Sequence, residues 1–462
     1  MASREYTDQC DGGTPFTLAL DDSDSGLGGC TTHLAGLLLF KLSRRLCLAD
    51  YPLLVRLAPG VPWKTRGNAA VVIRGYLLEG NLEDLLETAV NLARDYSLGR
   101  PAEPGKGPGA AIYPGIDAWR SERLRTLYNV GLRTLLHWEA VSRVAAREGV
   151  ITSGGRGRIG AVASLAALAP GEPYTYELIA YRRPELWGTR RCVDDDPLFE
   201  AQLPPCTFNN FDLHRGALIA APHGPDPVLA GFRGTCPEYL GCYKGVLCER
   251  PHFWVLYRSN QHTDSHHVLT PRLTLYSSGL VNAKIASAPK LLPGGHVIVE
   301  STIGDPPERV YLAAYRETGA VKAQLLDTIV GDTLEVGGTL RPRAEGSTLS
   351  IEKIYRTWRS SRTSKLAPRC PRCGHRMKSA GRGKGYKCPN CGYHDPDGKP
   401  VIVHIPPRPS APAAPPAGRL GHLTRPTHIP KLPVSPPSPP RLEDVLSLED
   451  PPELTLRGCR GA

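Results

Sequence analysis

Short apolar runs and longer amphipathic stretches alternate over the N-terminal part of the chain. Thr17 to Leu20 is an apolar run that ends in an acidic turn, which predicts a buried strand. Residues 31–46 predict a helix capped by one of its first two threonines, 69–78 predict a second strand, and 82–96 predict an amphipathic helix. This alternation is typical of an α/β or α+β catalytic domain, which we expect to span residues 14–197.

The pattern changes after residue 280. Five short β-rich runs separated by glycine and proline turns fill residues 280–360, which suits a small OB-type barrel. The segment 405–462 carries thirteen prolines between Pro406 and Pro440 and few apolar residues, so we expect it to be extended or disordered. The sequence therefore predicts a multi-domain α+β protein with a proline-rich tail.

Length and charge narrow the class of protein. At 462 residues and 50.1 kDa the chain is too long for one core, because single cores stop growing near ~250–300 residues. The formal net charge of +11 favours a polyanionic partner, and RNA, DNA and an anionic membrane all remain possible. The N-terminus is polar, and no apolar run approaches the ~18 residues of a membrane-spanning helix. We therefore expect a cytoplasmic protein that does not enter a membrane.

Four of the thirteen cysteines form two CxxC pairs separated by fourteen residues, namely Cys370, Cys373, Cys388 and Cys391. Two such knuckles can place four thiolates tetrahedrally around one zinc ion. Because all four positions are protein ligands, we expect a structural zinc ribbon over residues 366–404. The other nine cysteines are scattered, and the local group Cys236, Cys242 and Cys248 is best explained as small buried thiols, with a disulfide or a second metal site as the alternative.

A basic segment surrounds the ribbon. Between Arg356 and Cys388 the chain has eleven lysines or arginines and no acidic residue, with Trp358, His375 and Tyr386 interleaved. Cations for phosphates and rings for exposed bases are the composition of a surface that binds single-stranded nucleic acid. The alternative is a solvated basic face without a partner.

The acidic turn after the first strand has the composition of a magnesium-nucleotide site. Asp21, Asp22 and Asp24 offer hard oxygen ligands to Mg²⁺, and the glycines and helix start that follow offer amides to phosphate oxygens. Taken alone, an acidic turn is as often a solvated loop. The predicted phosphate-binding residues of this turn are Ser25, Gly28, Gly29 and Thr32.

A second loop supports the nucleotide interpretation. The stretch from Lys64 to Asn68 supplies two cations, a hydroxyl and an amide before the next strand. These groups bind phosphates, although the loop lacks the GxxxxGK spacing of a Walker motif. We therefore expect Arg66, Gly67 and Asn68, together with Lys64, to bind the phosphates of a nucleotide.

Four separated stretches resemble the archaeal tRNA-isoleucine 2-agmatinylcytidine synthetase (TiaS) family. Asp21 to Ser25 followed by Cys30 to Thr32 is similar to its DDTDS and CTT motifs, and Val61 to Asn68 to its IPWKTRGN segment. Gly231 to Gly234 resembles its (I/F)RG element, and Ser259 to Asp264 its TNQGTD. The resemblance covers Thr14 to His404 and departs from the family's pattern at three sites in these motifs: Ser23 for threonine, Gly29 for methionine and His262 for glycine.

The resemblance implies an ATP-dependent ligase that joins agmatine to the wobble cytidine of the isoleucine tRNA with the CAU anticodon. The anticodon would then read AUA instead of AUG. The family splits ATP to AMP and two phosphates, phosphorylates the base carbonyl, and lets the amine of agmatine attack. By resemblance, residues 14–197 are a kinase-like catalytic domain that binds ATP, and 198–275 are a ferredoxin-like domain. The resemblance implies Thr31 as the phospho-acceptor, and the other catalytic residues would be Asp21, Asp22, Asp24 and Lys64. A non-catalytic RNA-binding protein, whose barrel and ribbon are the whole function, is the rival interpretation.

The residues that bind agmatine and the target base are less well defined. Acidic groups should hold the guanidinium end, and Glu177 and Asp264 are the candidates, each equally explained as a locally satisfied polar residue. The motifs shared with the family add Phe232, Arg233, Gly234, Asn260 and Gln261. The expected ligands are thus ATP, Mg²⁺, structural Zn²⁺, tRNA and agmatine, and the sequence identifies no protein partner.

Overall fold

The computed structural model describes residues 10–24, 28–64, 67–97, 107–194, 204–212, 215–225, 227–344, 346–405, 410–429 and 431–459. Its helices are α1 (Thr31–Leu42), α2 (Leu82–Ser97), α3 (Glu122–Gly131), α4 (Trp138–Arg147), α5 (Arg158–Ser164) and α6 (Ala320–Leu326). Its strands up to the barrel are β1 (Thr14–Asp21), β2 (Leu46–Leu48), β3 (Leu53–Arg56), β4 (Ala69–Leu77), β5 (Gly109–Tyr113), β6 (Ile151–Gly154), β7 (Thr175–Tyr181), β8 (Phe211–Asp212), β9 (Ala217–Leu218), β10 (Val228–Gly234) and β11 (Phe253–Ser259). The remaining strands are β12 (Ser278–Ile285), β13 (Lys290–Leu291), β14 (Val297–Ile303), β15 (Glu308–Ala314), β16 (Thr333–Arg343), β17 (Gly346–Trp358), β18 (Arg362–Leu366), β19 (Lys378–Ser379), β20 (Tyr386–Lys387), β21 (His394–Asp395), β22 (Val401–Ile405) and β23 (Leu446–Leu448).

A ten-stranded sheet forms the centre of the molecule, in the order β10-β7-β11-β3-β4-β1-β5-β6, with β2 on β4 and β23 on β11. Strands β3 and β11 pair in parallel, and the other pairs along this path are antiparallel. The central strands are apolar over nearly their whole length, as expected of a sheet covered on both faces. Helices α1, α2 and α5 pack on this sheet.

The sheet runs across the predicted boundary at residue 197. Strand β7 pairs with both β10 and β11, and β11 continues the sheet to β3. One cluster of buried apolar side chains extends from Phe16 to Leu454. Most described residues of 14–259 therefore share this ten-stranded sheet and its core, whereas β8 and β9 pair only with each other and Phe208 lies in a separate small cluster.

A closed five-stranded barrel follows the sheet, as the sequence predicted for residues 280–360. Its strands are joined in the order β12-β16-β17-β15-β14, and pairing of β12 with β14 closes it. Helix α6 lies between β15 and β16 in the chain and buries Val321 and Leu325 against the barrel. The barrel has its own apolar core, separate from that of the sheet.

The prediction that residues 405–462 are extended or disordered is wrong for the described parts of this tail. Strand β23 pairs with β11, and Ala413 pairs with Ile354 of the barrel. Leu423 and Val445 are buried in the main core. Leu454 of the tail is buried in the same core, and Ile429 and Leu432 are buried against Phe208, which a composition argument does not capture.

The expectation of small buried thiols is also wrong for Cys236 and Cys242. Disulfides join Cys206 to Cys236, Cys242 to Cys459, and Cys10 to Cys47. Cys248 is exposed and forms no disulfide. The partners of the second bridge are 217 residues apart in sequence, so spacing along the chain could not reveal the pair.

Membrane-spanning helices are absent from the described residues, in which no helix is both long enough and apolar enough to cross a bilayer.

Candidate active site

A cavity of about 600 Å³ lies beside the end of strand β1, where many of the predicted site residues meet. The predicted residues that line it are Asp21, Asp22, Asp24, Thr31, Thr32, Lys64, Gly67, Asn68, Glu177 and Arg233. They come from the turn after β1, the start of α1, the loop before β4, and the strands β7 and β10. Ser25 and Arg66 lie outside the described residues.

Asp21 ends strand β1 and is closely surrounded by the glycine loop before helix α5. A Cβ atom on Gly157 would lie 2.3 Å from the carbonyl oxygen of Asp21, and one on Gly160 would lie 1.9 Å from its Oδ2. Only glycine permits this approach. Burial, together with the charges of Asp22 and Asp24, raises the pKa of Asp21 well above its usual value. A cation among these carboxylates would relieve that repulsion.

Asp22 turns away from the strand in a left-handed backbone conformation, with φ of 61°. Its Oδ2 accepts a hydrogen bond from the N–H of Gly107 at 3.1 Å and lies 3.5 Å from Nη2 of Arg156. Arg156 also lines the cavity and was not among the predicted site residues. The basic glycine loop at residues 154–160 was the only sequence signal for it.

Thr31 is the first residue of helix α1, and Cys30 occupies the N-cap position without a side-chain capping bond. The prediction that a threonine caps this helix is therefore wrong. The Thr31 hydroxyl instead accepts a hydrogen bond from the backbone N–H of Ser23 at 3.3 Å. This bond fixes the helix start against the acidic turn, so that Thr31 lines the same cavity as the three carboxylates.

Lys64 lies half-buried in the loop before strand β4, where its Nζ donates to the carbonyl oxygen of Pro59 at 2.5 Å. Burial, and then the charge of Arg341, lowers the pKa of Lys64. Asn68 holds the same loop through a hydrogen bond from Nδ2 to the carbonyl oxygen of Ala58 at 3.2 Å. Lys64 therefore presents its ammonium group to the cavity.

Arg56, at the end of strand β3, is a cavity residue that sequence reasoning missed. Its Nε donates to Oε1 of Gln261 at 3.0 Å, and its backbone N–H donates to Oδ1 of Asn260 at 2.7 Å. Asn260 and Gln261 are buried behind the cavity wall rather than in it. They position Arg56. The sequence did not mark Arg56 as a site residue because it ends an otherwise apolar strand.

Glu177 is a buried carboxylate in the cavity wall. Its Oε1 lies 3.1 Å from Nε of Arg233, and its Oε2 accepts a hydrogen bond from Nε2 of Gln261. Gly231 on the neighbouring strand leaves room for it, because a Cβ there would lie 2.5 Å from Oε1. The predicted residues Glu177, Arg233 and Gln261 therefore form one connected group.

Some predicted residues do not line the cavity. Phe232 is buried in the core and stacks on Tyr243 at 4.8 Å between ring centroids. Asp264 binds Nζ of Lys353 at 2.5 Å and the backbone N–H of Arg425 at 2.6 Å. Gly234, Gly28 and Gly29 are likewise absent from the lining. We assign none of these residues a direct contact with a ligand in the cavity.

The tail contributes three residues to the cavity lining, Gly418, Arg419 and His422. Arg419 and His422 keep their side chains accessible to the cavity. The charge of Arg56 lowers the pKa of His422 well below its usual value, which favours the neutral imidazole. Sequence reasoning missed these residues because it treated the tail as disordered.

The predicted zinc ligands lie together at the other end of the chain. The Sγ atoms of Cys370, Cys373, Cys388 and Cys391 all lie within 4.8 Å of one another. Cys370 and Cys388 are buried, and Cys373 and Cys391 are exposed. Four thiol groups converging in this way fit one tetrahedral zinc ion, as in a structural site.

Three family models match separate parts of the chain. The TiaS TCKD domain matches residues 17–81, the TiaS FLD domain matches residues 155–266, and the TiaS C-terminal zinc ribbon domain matches residues 367–408. The ribbon match includes all four converging cysteines, and the first match includes the acidic turn and Lys64.

Relatives and solved structures agree with these matches. The tRNA 2-agmatinylcytidine synthetase TiaS of Acidilobus saccharovorans is 48% identical over 80% of this chain and 85% of its own length. That of Staphylothermus marinus is 37% identical over 83% of this chain and 87% of its own. A complex of TiaS with its isoleucine tRNA and ATP is 28% identical, with a TM-score of 0.74 over 90% of this chain and 98% of that one. A complex of TiaS with the same tRNA, AMPCPP and agmatine is 25% identical, with a TM-score of 0.71 over 89% and 96%. With these identities over most of its length, the chain belongs to the TiaS family of tRNA 2-agmatinylcytidine synthetases.

Proposed function

We propose that this chain uses ATP to attach agmatine to the wobble cytidine of the isoleucine tRNA with the CAU anticodon, which changes its decoding from AUG to AUA. The observation that carries this function is the single cavity that gathers carboxylates, cations and a threonine hydroxyl. The relatives named above are synthetases of 2-agmatinylcytidine, and structures of the same fold hold tRNA, ATP and agmatine.

In this proposal the parts of the chain have separate tasks. Residues 14–197 act as a kinase-like catalytic domain, and 198–275 act as a ferredoxin-like domain that shares its sheet. The barrel at 280–360 acts as an OB-type domain and, with the ribbon, binds the single-stranded anticodon loop. Trp358 supports this role, because it is 47% exposed at the barrel end that leads into the ribbon.

The acidic end of the cavity would hold Mg²⁺ through Asp21, Asp22 and Asp24. The clustered carboxylates fit a hard divalent cation, and the raised pKa of Asp21 marks a negative site that a cation would stabilise. Bound there, Mg²⁺ would neutralise charge on the triphosphate of ATP. The glycine loop keeps Asp21 in place, since larger residues at 157 or 160 would displace it.

The cations of the cavity stabilise phosphoryl transfer. Lys64 and Arg56 offset the negative charge that builds on the transferred phosphate. Thr31 is the phospho-acceptor of the protein, because its hydroxyl lies in the cavity beside the acidic turn. One phosphoryl group of ATP is transferred to the Thr31 hydroxyl and is released by water as phosphate. The other is transferred to the carbonyl oxygen of the cytidine, and this oxygen leaves as the second phosphate when the amine of agmatine attacks the ring carbon and gives up a proton. ATP yields AMP and two phosphates.

The guanidinium end of agmatine is assigned to Glu177. This carboxylate is buried, lines the cavity and already binds one guanidinium, that of Arg233. A second planar guanidinium can share or replace that contact, because a carboxylate accepts several hydrogen bonds. The target base must leave the anticodon stack to reach this depth.

ATP turnover separates this function from its rivals. The proposed enzyme should consume ATP faster when the isoleucine tRNA with the CAU anticodon is added and should release AMP. A protein that only binds RNA through the barrel and ribbon would not turn over ATP. A small-molecule kinase with an RNA-binding appendage would turn over ATP at a rate that tRNA does not change.

A further inference from the structure

A second cavity of about 570 Å³ lies beside the first, where the sheet domain, the barrel and the tail meet. The barrel contributes Arg341 and Ser350, and Tyr315 follows its strand β15. The two cavities share a wall formed by Arg56, Lys64, Gly67, Asn68, Arg419 and His422. The carboxylates Asp21, Asp22 and Asp24 line the first cavity and not the second.

Positive charge prevails in this second cavity. Four cationic side chains face one carboxylate, Glu352, among its described lining residues, and they are Arg56, Lys64, Arg341 and Arg419. Glu352 is occupied elsewhere: its Oε2 lies 2.8 Å from Nε2 of His266 and 2.9 Å from the Thr424 hydroxyl. Its Oε1 accepts a hydrogen bond from Thr339 at 2.8 Å. The Glu352 carboxylate therefore interacts with His266, Thr339 and Thr424 rather than with the four cations.

Without a ligand, the proximity of these cations is electrostatically unfavourable. Arg341 helps to lower the pKa of Lys64, and Arg56 lowers the pKa of His422, which is the direction expected when like charges approach without an anion between them. Such an arrangement becomes favourable when an anionic ligand with several acceptor oxygens enters. A phosphate group has this chemistry.

We propose that the second cavity binds a backbone phosphate of the tRNA beside the target cytidine, with Arg341 and Arg419 as its ligands. The inference rests on the proposed function. RNA is favoured over the phosphates of ATP because the cavity lacks the acidic triad and is lined on one side by the barrel. Tyr315, 43% exposed at its rim, offers a ring on which a neighbouring base can stack.

The tail places Arg419 for this contact. Arg419 ends a short 3-10 turn, Ala417–Arg419, and remains exposed to the cavity. The residues that follow are anchored: Leu423 is buried, and the backbone N–H of Arg425 donates to Asp264. A cation held on an anchored segment loses less conformational freedom on binding than one on a mobile tail.

The test compares Arg341→Ala and Arg419→Ala with two matched controls. Arg343→Ala removes the same charge from the same strand, and Lys431→Ala removes one from the tail; neither residue lines either of these two cavities. The two cavity variants should each raise the Kd and the KM for tRNA about tenfold, since a charge-assisted phosphate contact contributes roughly a factor of ten. The KM for ATP and for agmatine should stay unchanged in Arg341→Ala, because Arg341 lines the second cavity and not the first. The slope of log Kd against log salt should fall by roughly 0.7 for each charge removed.

Arg419→Lys should restore the salt slope, because it keeps the charge. A rise in the KM for ATP without a rise for tRNA would assign the cavity to the nucleotide and overturn the proposal. So would a tRNA Kd no different from that of the controls in variants whose melting temperature is unchanged. The Kd is measured without turnover, so a wild-type protein that binds tRNA but makes no agmatinylcytidine would contradict the proposed function and leave this inference standing.

Discussion

The imidazole Nδ1 of His262 lies 2.9 Å from the carbonyl oxygen of Thr424, a residue 162 positions further along the chain. The backbone N–H of His262 also donates to the carbonyl oxygen of His422 at 2.8 Å. The φ of 54° at His262 lies in the left-handed region, which favours the glycine found in the family's motif. In this chain a histidine adopts the left-handed backbone conformation, and its ring forms a hydrogen bond with the tail.

The pH dependence of stability should report this contact. Burial, with the charge of Arg233, lowers the pKa of His262 to about 4, whereas an unfolded histidine titrates near ~6.5. The neutral ring therefore contributes stability that is present above about pH 6.5 and is lost as the pH falls towards 4. The melting temperature of wild type should fall over this range more than that of His262→Gly. If the melting temperatures of the two proteins changed equally with pH, the titration of His262 would not be the cause of the loss of stability.

The packing of the tail predicts a loss of stability that its composition does not suggest. Leu423 is 3% exposed in the main core, so Leu423→Ala should lower the free energy of unfolding by roughly 2–5 kcal/mol. Val434→Ala is the control, because this residue of the same tail is 40% exposed and should change stability little. Denaturant unfolding measures both variants. Equal, small effects would show that the tail does not stabilise the folded core in solution.

The sequence predicted correctly those groups of residues that lie close together along the chain. The acidic turn from Asp21 to Asp24 and the cysteine spacing each lie within a short stretch, and both sets of residues meet in space as expected. The barrel followed from the regular spacing of apolar runs. The prediction failed where one residue acquires its role from a distant partner. Arg56 depends on Gln261, and His422 enters the cavity from a proline-rich segment, so neither has a neighbour in sequence that marks it.

The acidic turn should be required for the chemistry. Asp21→Asn keeps the shape of the side chain but removes the charge that would hold Mg²⁺ and position phosphates, so product formation should fall by orders of magnitude. Asp117→Asn is the control, because Asp117 is a half-exposed acid that pairs with Arg120 outside the cavity. Steady-state rates measure the difference. Comparable rates for the two variants would remove the magnesium role of Asp21.

Thr31 should behave differently from the carboxylates. Thr31→Ala removes the acceptor for the Ser23 N–H, at a cost of about 1–3 kcal/mol, and leaves ATP and tRNA binding intact. It should abolish phosphate labelling of the protein and strongly reduce product. Thr31→Ser keeps a hydroxyl and should retain part of both. Wild-type product formation by Thr31→Ala would limit this hydroxyl to holding the acidic turn.

Zinc should stabilise the ribbon without entering the catalytic step. Cys370→Ser or Cys388→Ser should lose the metal and weaken tRNA binding, because four thiolates are needed to close the site. ATP binding should persist, since the cavity for it is formed by other parts of the chain. Metal analysis and tRNA titration test this; a zinc-free wild type would refute the ribbon assignment.

The most direct measurement of the central claim is nucleoside mass analysis of the isoleucine tRNA with a CAU anticodon after incubation with the protein, ATP, Mg²⁺ and agmatine. We expect the wobble cytidine to be converted to 2-agmatinylcytidine, with AMP formed in proportion and no conversion when ATP or agmatine is left out. An unmodified cytidine, under conditions in which the protein is folded and binds the tRNA, would contradict the account.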